Sequence, residues 1–111
     1  MVDASSGSIG IDAAVDLARK ALLATGSSTE LKGEMTDQDG GGFAWVLVGE
    51  KYFMRNSSYA SLTVLVSGDA RSSRVQALSS GASDGIINIS FGANASFEND
   101  FIRQLARLGY E

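Results

Sequence analysis

The sequence predicts an α+β domain in which an antiparallel sheet of five or six short strands is flanked by an N-terminal and a C-terminal helix packed on one face. Apolar residues recur at helical spacing near both ends of the chain. Between those ends the period drops to two, in short runs separated by glycine- and serine-rich turns. The strands follow one another without intervening helices, the order of an α+β fold and not of a parallel α/β one. A chain of 111 residues, 44% hydrophobic and 20% charged, suits a single domain with a modest core.

Residues 1–7 are small and polar and are expected to form a disordered tail, leaving 8–111 as the folded domain. Ile11, Val15, Ala18 and Leu22 then mark one helical stripe, widened by Ala14, Leu17 and Ala21. Ser8 suits its N-cap, and Thr25-Gly26 suits its end. From Thr29 to Thr36, Leu31, Gly33 and Met35 alternate with Glu30, Lys32 and Glu34, the pattern of a half-buried strand. Asp37 to Gly42 turns the chain into a second strand, Phe43–Val48. Gly49-Glu50-Lys51 reads as an interruption or bulge before Tyr52 to Arg55 continues that strand. Ala60–Ser67 and Ser73–Ser80 follow, and Ile86–Phe91 reads as a last strand. Phe97, Phe101, Leu105 and Leu108 trace the closing helix, which Gly109 ends.

The composition removes whole classes of chemistry. The chain has no histidine, cysteine or proline. It therefore has no Ser-His-Asp triad, no thiolate nucleophile, no disulfide and no His- or Cys-ligated metal. The formal net charge of -4 argues against a nucleic-acid partner, which requires a basic stripe. The apolar run Phe43–Val48 is far short of a membrane span, and the N-terminus has no signal-peptide pattern. The expectation is a cytoplasmic protein with no membrane contact and no cofactor.

The remaining motifs are weak. Asp37-Gln38-Asp39-Gly40-Gly41-Gly42 begins like a calcium loop, but its twelfth position is Val48 where a bidentate glutamate is required. Gly81–Gly85 precedes an expected strand, unlike a phosphate-binding loop, which opens a helix. Lys51, Arg55, Arg71 and Arg74 form at most a local basic patch. The catalytic candidates are Glu50 with Lys51, or Ser57 or Ser58 activated by Lys51, and each needs a cleft that shifts a pKa. None of these is assigned a catalytic, metal-binding or cofactor role.

The more informative feature is the strand Phe43–Val48, which is apolar on both sides. Phe43, Trp45 and Leu47 point one way; Ala44, Val46 and Val48 point the other. Two helices on one face leave the second set to meet something else. Trp45, Leu47, Tyr52, Met54, Arg55 and Tyr59 are the candidate interface or ligand residues. The leading expectation is an association module that binds a second copy or another protein through the free sheet face. The alternative is a pocket between the sheet and the C-terminal helix for a small apolar or amphipathic ligand.

Glu50-Lys51-Tyr52-Phe53-Met54-Arg55-Asn56, followed by Ala60-Ser61-Leu62-Thr63-Val64, resembles a group of small uncharacterised bacterial proteins of about this length. The glycine turn before Ile86 and the Phe91-Gly92-Ala93 lead into the final helix are also similar to that group. The likeness covers residues 30–108. It implies a bacterial cytoplasmic domain and carries over no catalytic or ligand residues.

Overall fold

The computed structural model describes residues 1–54, 57–81 and 87–111, with the backbone alone for 87–93. Strands β2 (Glu30–Asp39), β3 (Gly42–Phe53), β4 (Ser58–Gly68) and β5 (Ser73–Gly81) pair in sequence order as an antiparallel meander, and β1 (Val2–Ser6) joins the far side of β5. The sheet order is β1-β5-β4-β3-β2. Helices α1 (Ile11–Leu23) and α2 (Ile87–Arg107) share one core on a single face of this sheet. The α+β reading therefore holds, with five strands.

The expected stripes meet in that core. Val15 and Leu22 of α1, Phe97 and Phe101 of α2, and Leu62 and Val64 of β4 are all fully enclosed. Ala14, Ala18 and Ala21 are also buried, so α1 lies close to the sheet on a row of small side chains. The Gly109 stop closes α2 in full. Gly109 takes φ +102 and donates its N–H to the Ala106 carbonyl, while Tyr110 donates to the Leu105 carbonyl. These two bonds make a Schellman motif. They turn Tyr110 inward, where its hydroxyl hydrogen-bonds Ser73 Oγ at 2.9 Å.

Three expectations are corrected. The supposed tail is β1, paired residue for residue with β5 from Val2↔Ala77 to Ser6↔Ser73. Arg74 binds Asp3, and Ser6 Oγ donates to the Glu111 carbonyl at 2.6 Å. The supposed last strand is helical from Ile87 to Phe91, while Ile86 lies outside the described residues. The edge of β5 that a sixth strand needs is already taken by β1. A short apolar run does not by period alone separate strand from buried helix. Finally, α1 is capped not by Ser8 but by Gly10, which makes no side-chain cap bond.

The start of α1 is held by the β4–β5 turn. Ile11 donates its N–H to the Asp69 carbonyl at 2.8 Å, and the Asp69 carboxylate accepts the N–H groups of Arg71 and Ser72 at 2.8 and 3.0 Å. Those two backbone donors hold the Asp69 carboxyl below its usual pKa. A Cβ on Gly10 would stand 2.3 Å from the Ala70 carbonyl oxygen, so glycine is needed here for close approach. Gly10→Ala is expected to lower stability by about 1–3 kcal/mol through this overlap, read as a lower urea midpoint at unchanged slope. An unchanged midpoint contradicts the docking of α1 on the turn.

Candidate functional site

The pleat of β3 sorts its apolar residues between the two faces. Trp45, Leu47 and Phe53 point toward the helices, with Leu47 fully buried among core residues. Gly49 shares that face, and a Cβ there would lie 2.7 Å from the Leu22 methyl groups. Val46, Val48, Glu50 and Tyr52 therefore point to the other face. β3 is continuous through Gly49-Glu50-Lys51. The irregularity expected there lies instead on β2, where the register shifts between Leu31 and Gly33.

That shift reverses the facing of the rest of β2. Leu31 opposes Gly49 on the helix side, but Gly33 opposes Val48 and Met35 opposes Val46 on the open side. Met35, expected to share a face with Leu31, is instead 65% exposed. Glu34 moves in the opposite sense, onto the helix face, where it meets Arg19 of α1. Arg19 donates two parallel hydrogen bonds to its carboxylate at 2.9 and 2.7 Å, and Trp45 Nε1 donates a third at 2.8 Å. The guanidinium also lies 5.2 Å from the centre of the Trp45 ring. The Arg19 hydrogen bonds hold the Glu34 carboxyl below its ordinary pKa, with a further contribution from Trp45.

On the open face, Met35, Val46 and Leu65 stand abreast on β2, β3 and β4, with Gln76 beside them on β5. The adjacent row is Gly33, Val48, Thr63 and Leu78, and Leu78 is 54% exposed. No position in these two rows of β2–β5 carries a charge. Charges begin in the flanking rows, with Asp37 and Arg74 at one end and Glu30 and Glu50 at the other. Asp3 of β1 ends the Leu65 row at the sheet edge, in register with Gln76, and is ion-paired with Arg74 of the next row. An uncharged apolar centre with a charged rim has the anatomy of an interface patch. A depression of about 150 Å³ lies within it, lined by Met1, Thr63, Leu65, Gln76, Ala77 and Leu78.

The sequence-derived candidates divide accordingly. Leu47 is removed from the candidate surface because its strand position points into the core. Trp45 is likewise on the helix side and joins α1 to the hairpin through Glu34. Tyr52 and Tyr59 do lie on the open face as a cross-strand pair, with ring centroids 5.0 Å apart. They wall a groove of about 300 Å³ with Ser28, Glu30, Lys32 and Glu50. Met54 is 84% exposed beyond the end of β3, and Arg55 lies outside the described residues. Met35, Val46, Val48, Leu65 and Leu78 are the patch residues missing from the candidates that the sequence offers.

The catalytic candidates are separated by the same pleat. Glu50 is on the open face, whereas Lys51 turns inward and donates to the Thr25 carbonyl at 2.7 Å, just past the end of α1. Its ammonium also lies 5.0 Å from the centre of the Phe53 ring. Lys51 is thus a helix-end partner facing away from Glu50. It also stands on the opposite side of the sheet from Arg74, so the proposed basic patch does not gather. The Asp37–Gly42 segment is a hairpin whose two-residue turn places Gly40 at φ +61, as a II′ turn requires. Among the described residues, no three carboxylates come close enough to hold a metal ion. No helix among them is long and apolar enough to cross a membrane.

Fold and site together define a small α+β protein with one face of its sheet covered by helices and the other bare and apolar at its centre. The chain belongs to DUF6054, a family of unknown function, whose model matches residues 4–109. No curated protein and no solved structure matches it.

The Glu34 cluster has a pH signature. Because its folded pKa lies below the unfolded value, its contribution is complete above the ordinary glutamate range and is lost as pH falls through the folded pKa. Glu34→Gln keeps an oxygen for Trp45 but removes the charge. It is expected to cost about 1 kcal/mol at pH 7, with the gap to wild type closing as pH falls through and below the ordinary glutamate range. Urea unfolding across that range checks it, and a gap that does not change with pH contradicts the pairing.

Proposed function

We propose that this protein works by association, and that the working surface is the bare face of the sheet, occupied by a second copy of the chain. The observation that carries the reading is the exclusion of charge from the β2–β5 positions of the two central rows, where Met35, Val46, Val48, Leu65 and Leu78 collect. Each such side chain contributes about 1.5–3 kcal/mol when fully buried, enough together to offset the cost of association. Five strands about 4.8 Å apart and about eight residues long present roughly 600 Å² of face, approaching the ~800 Å² per partner of a standard interface.

Edge-to-edge pairing is the weaker route for the same partner. The exposed edge strand β2 carries Glu30, Lys32, Glu34, Asp37 and Asp39 and is interrupted by its register shift. Charges and bulges of this kind discourage strand addition. The small-ligand alternative calls for a pocket between the sheet and the C-terminal helix, whereas the groove of about 300 Å³ at Tyr52 and Tyr59 and the depression of about 150 Å³ beside Leu65 both open on the other face of the sheet. On the association reading the setting is the bacterial cytoplasm, as the resemblance of residues 30–108 implies.

Leu65→Lys places a charge at the centre of the patch without entering the core. It is expected to weaken self-association at least a hundredfold while leaving the monomer folded, with an unchanged circular-dichroism spectrum. Sedimentation velocity should give a dimer for wild type and a species of 11.6 kDa for the variant. A wild type that stays at the monomer mass at every concentration, or a variant that keeps the dimer mass, overturns the reading.

A further inference from the structure

The groove beside Tyr52 and Tyr59 has a chemistry separate from that of the apolar patch. We propose that it binds a small, rounded organic cation, a methylated ammonium ion free in solution, seated on the two tyrosine rings with Glu50 as its counter-ion. The groove holds about 300 Å³, at the lower end of the range for small-molecule sites. It lies at the charged end of the bare face, past the row of Gly33, Val48, Thr63 and Leu78. That position is the rim of the association surface, the part of an interface that stays open to solvent.

The charges in the groove do not balance. Glu30 and Glu50 stand directly opposite each other on β2 and β3, and like charges in that relation repel. The one ammonium beside them is already committed, because Lys32 Nζ donates to Glu30 Oε2 at 3.1 Å. That hydrogen bond, with the charges of Glu30 and Glu50, raises the Lys32 pKa and keeps it protonated. Glu50 is half-buried and has the uncharged Ser61 on its other side. Among the described residues it takes part in no hydrogen bond and no salt bridge. A cation in the groove supplies the missing partner and relieves the repulsion.

The aromatic wall selects the shape of that cation. Tyr52 and Tyr59 form the next row on the same face, with ring centroids 5.0 Å apart and planes inclined at 58°. Ring faces attract cations through their negative quadrupole. A flat guanidinium stacks on one ring of such a bent surface. A rounded ion whose charge is spread over methyl groups touches both, and loses less hydration than a bare ammonium in doing so.

Tetramethylammonium chloride is the probe, added to the wild-type protein at constant ionic strength and followed through the ring-proton resonances of Tyr52 and Tyr59. Saturable shifts of both rings are expected. Tert-butanol offers similar methyl groups without charge, and methylguanidinium offers charge on a flat ion; each should bind about tenfold more weakly. Glu50→Gln should weaken binding about fivefold without lowering the urea midpoint, since it removes the repulsion from Glu30. Tyr59→Phe keeps the ring and should bind as wild type does, whereas Tyr59→Ala should weaken binding about threefold. The absence of saturable shifts overturns the site, as does tert-butanol or methylguanidinium binding as tightly, or unchanged binding by Glu50→Gln. The dimer stands or falls separately, on the mass of wild type and of Leu65→Lys.

Discussion

The one-residue register shift on β2 is the constraint from which the arrangement of both faces follows. Side chains alternate strictly along a strand, so a single extra residue reverses every position beyond it. Here it leaves Leu31 against the helix layer while turning Met35 outward and Glu34 inward. Both consequences matter. Glu34 reaches Arg19 and Trp45, which ties the outer hairpin to α1 through a bidentate ion pair and an indole hydrogen bond. Met35 completes a row with Val46 and Leu65 on the bare face. An unshifted β2 would place a carboxylate in that row and a methionine beside the arginine.

The two helices account for the other half of the asymmetry. Their small and aromatic stripes fill one side of the sheet, with the alanines of α1 allowing close approach and Phe97 and Phe101 of α2 supplying bulk. Polar contacts then fix how the layers sit. Lys51 reaches the carbonyl beyond the end of α1, the Glu98 carboxylate accepts the Ser79 N–H at 2.9 Å, and Tyr110 is locked to Ser73. Burial raises the Tyr110 hydroxyl pKa above its usual value, with the Ser73 bond acting against it. With so much of the polar stitching on the helix side, the opposite face is left to apolar side chains over its middle rows.

Much of this was legible in the sequence because it is periodic. The α1 stripe, the meander from Thr29 to Ser80 and the Gly109 stop follow from local spacing and local conformational preference. The facing of β3 did not, because Phe43–Val48 is apolar at every position and alternation gives no sign of which set is inside. Trp45 and Leu47 looked like surface candidates for that reason, and only the place of Leu22 opposite Gly49 resolves the choice. The register shift was equally hidden, since Lys32 looks like any outward-facing polar residue. The β1 strand was missed because its support is distant in the chain: Arg74 and Glu111 hold it, and nothing in Val2–Ser6 itself announces a strand.

The central claim, that the bare face is covered when copies meet, is tested most directly by hydroxyl-radical footprinting across a range of protein concentrations. Leu23 at the end of α1 and Leu108 just past α2 are exposed and serve as internal references for Met35, Leu65 and Leu78. The account predicts that modification of Met35, Leu65 and Leu78 falls as concentration rises while Leu23 and Leu108 stay constant. Equal modification of both sets at every concentration would contradict it.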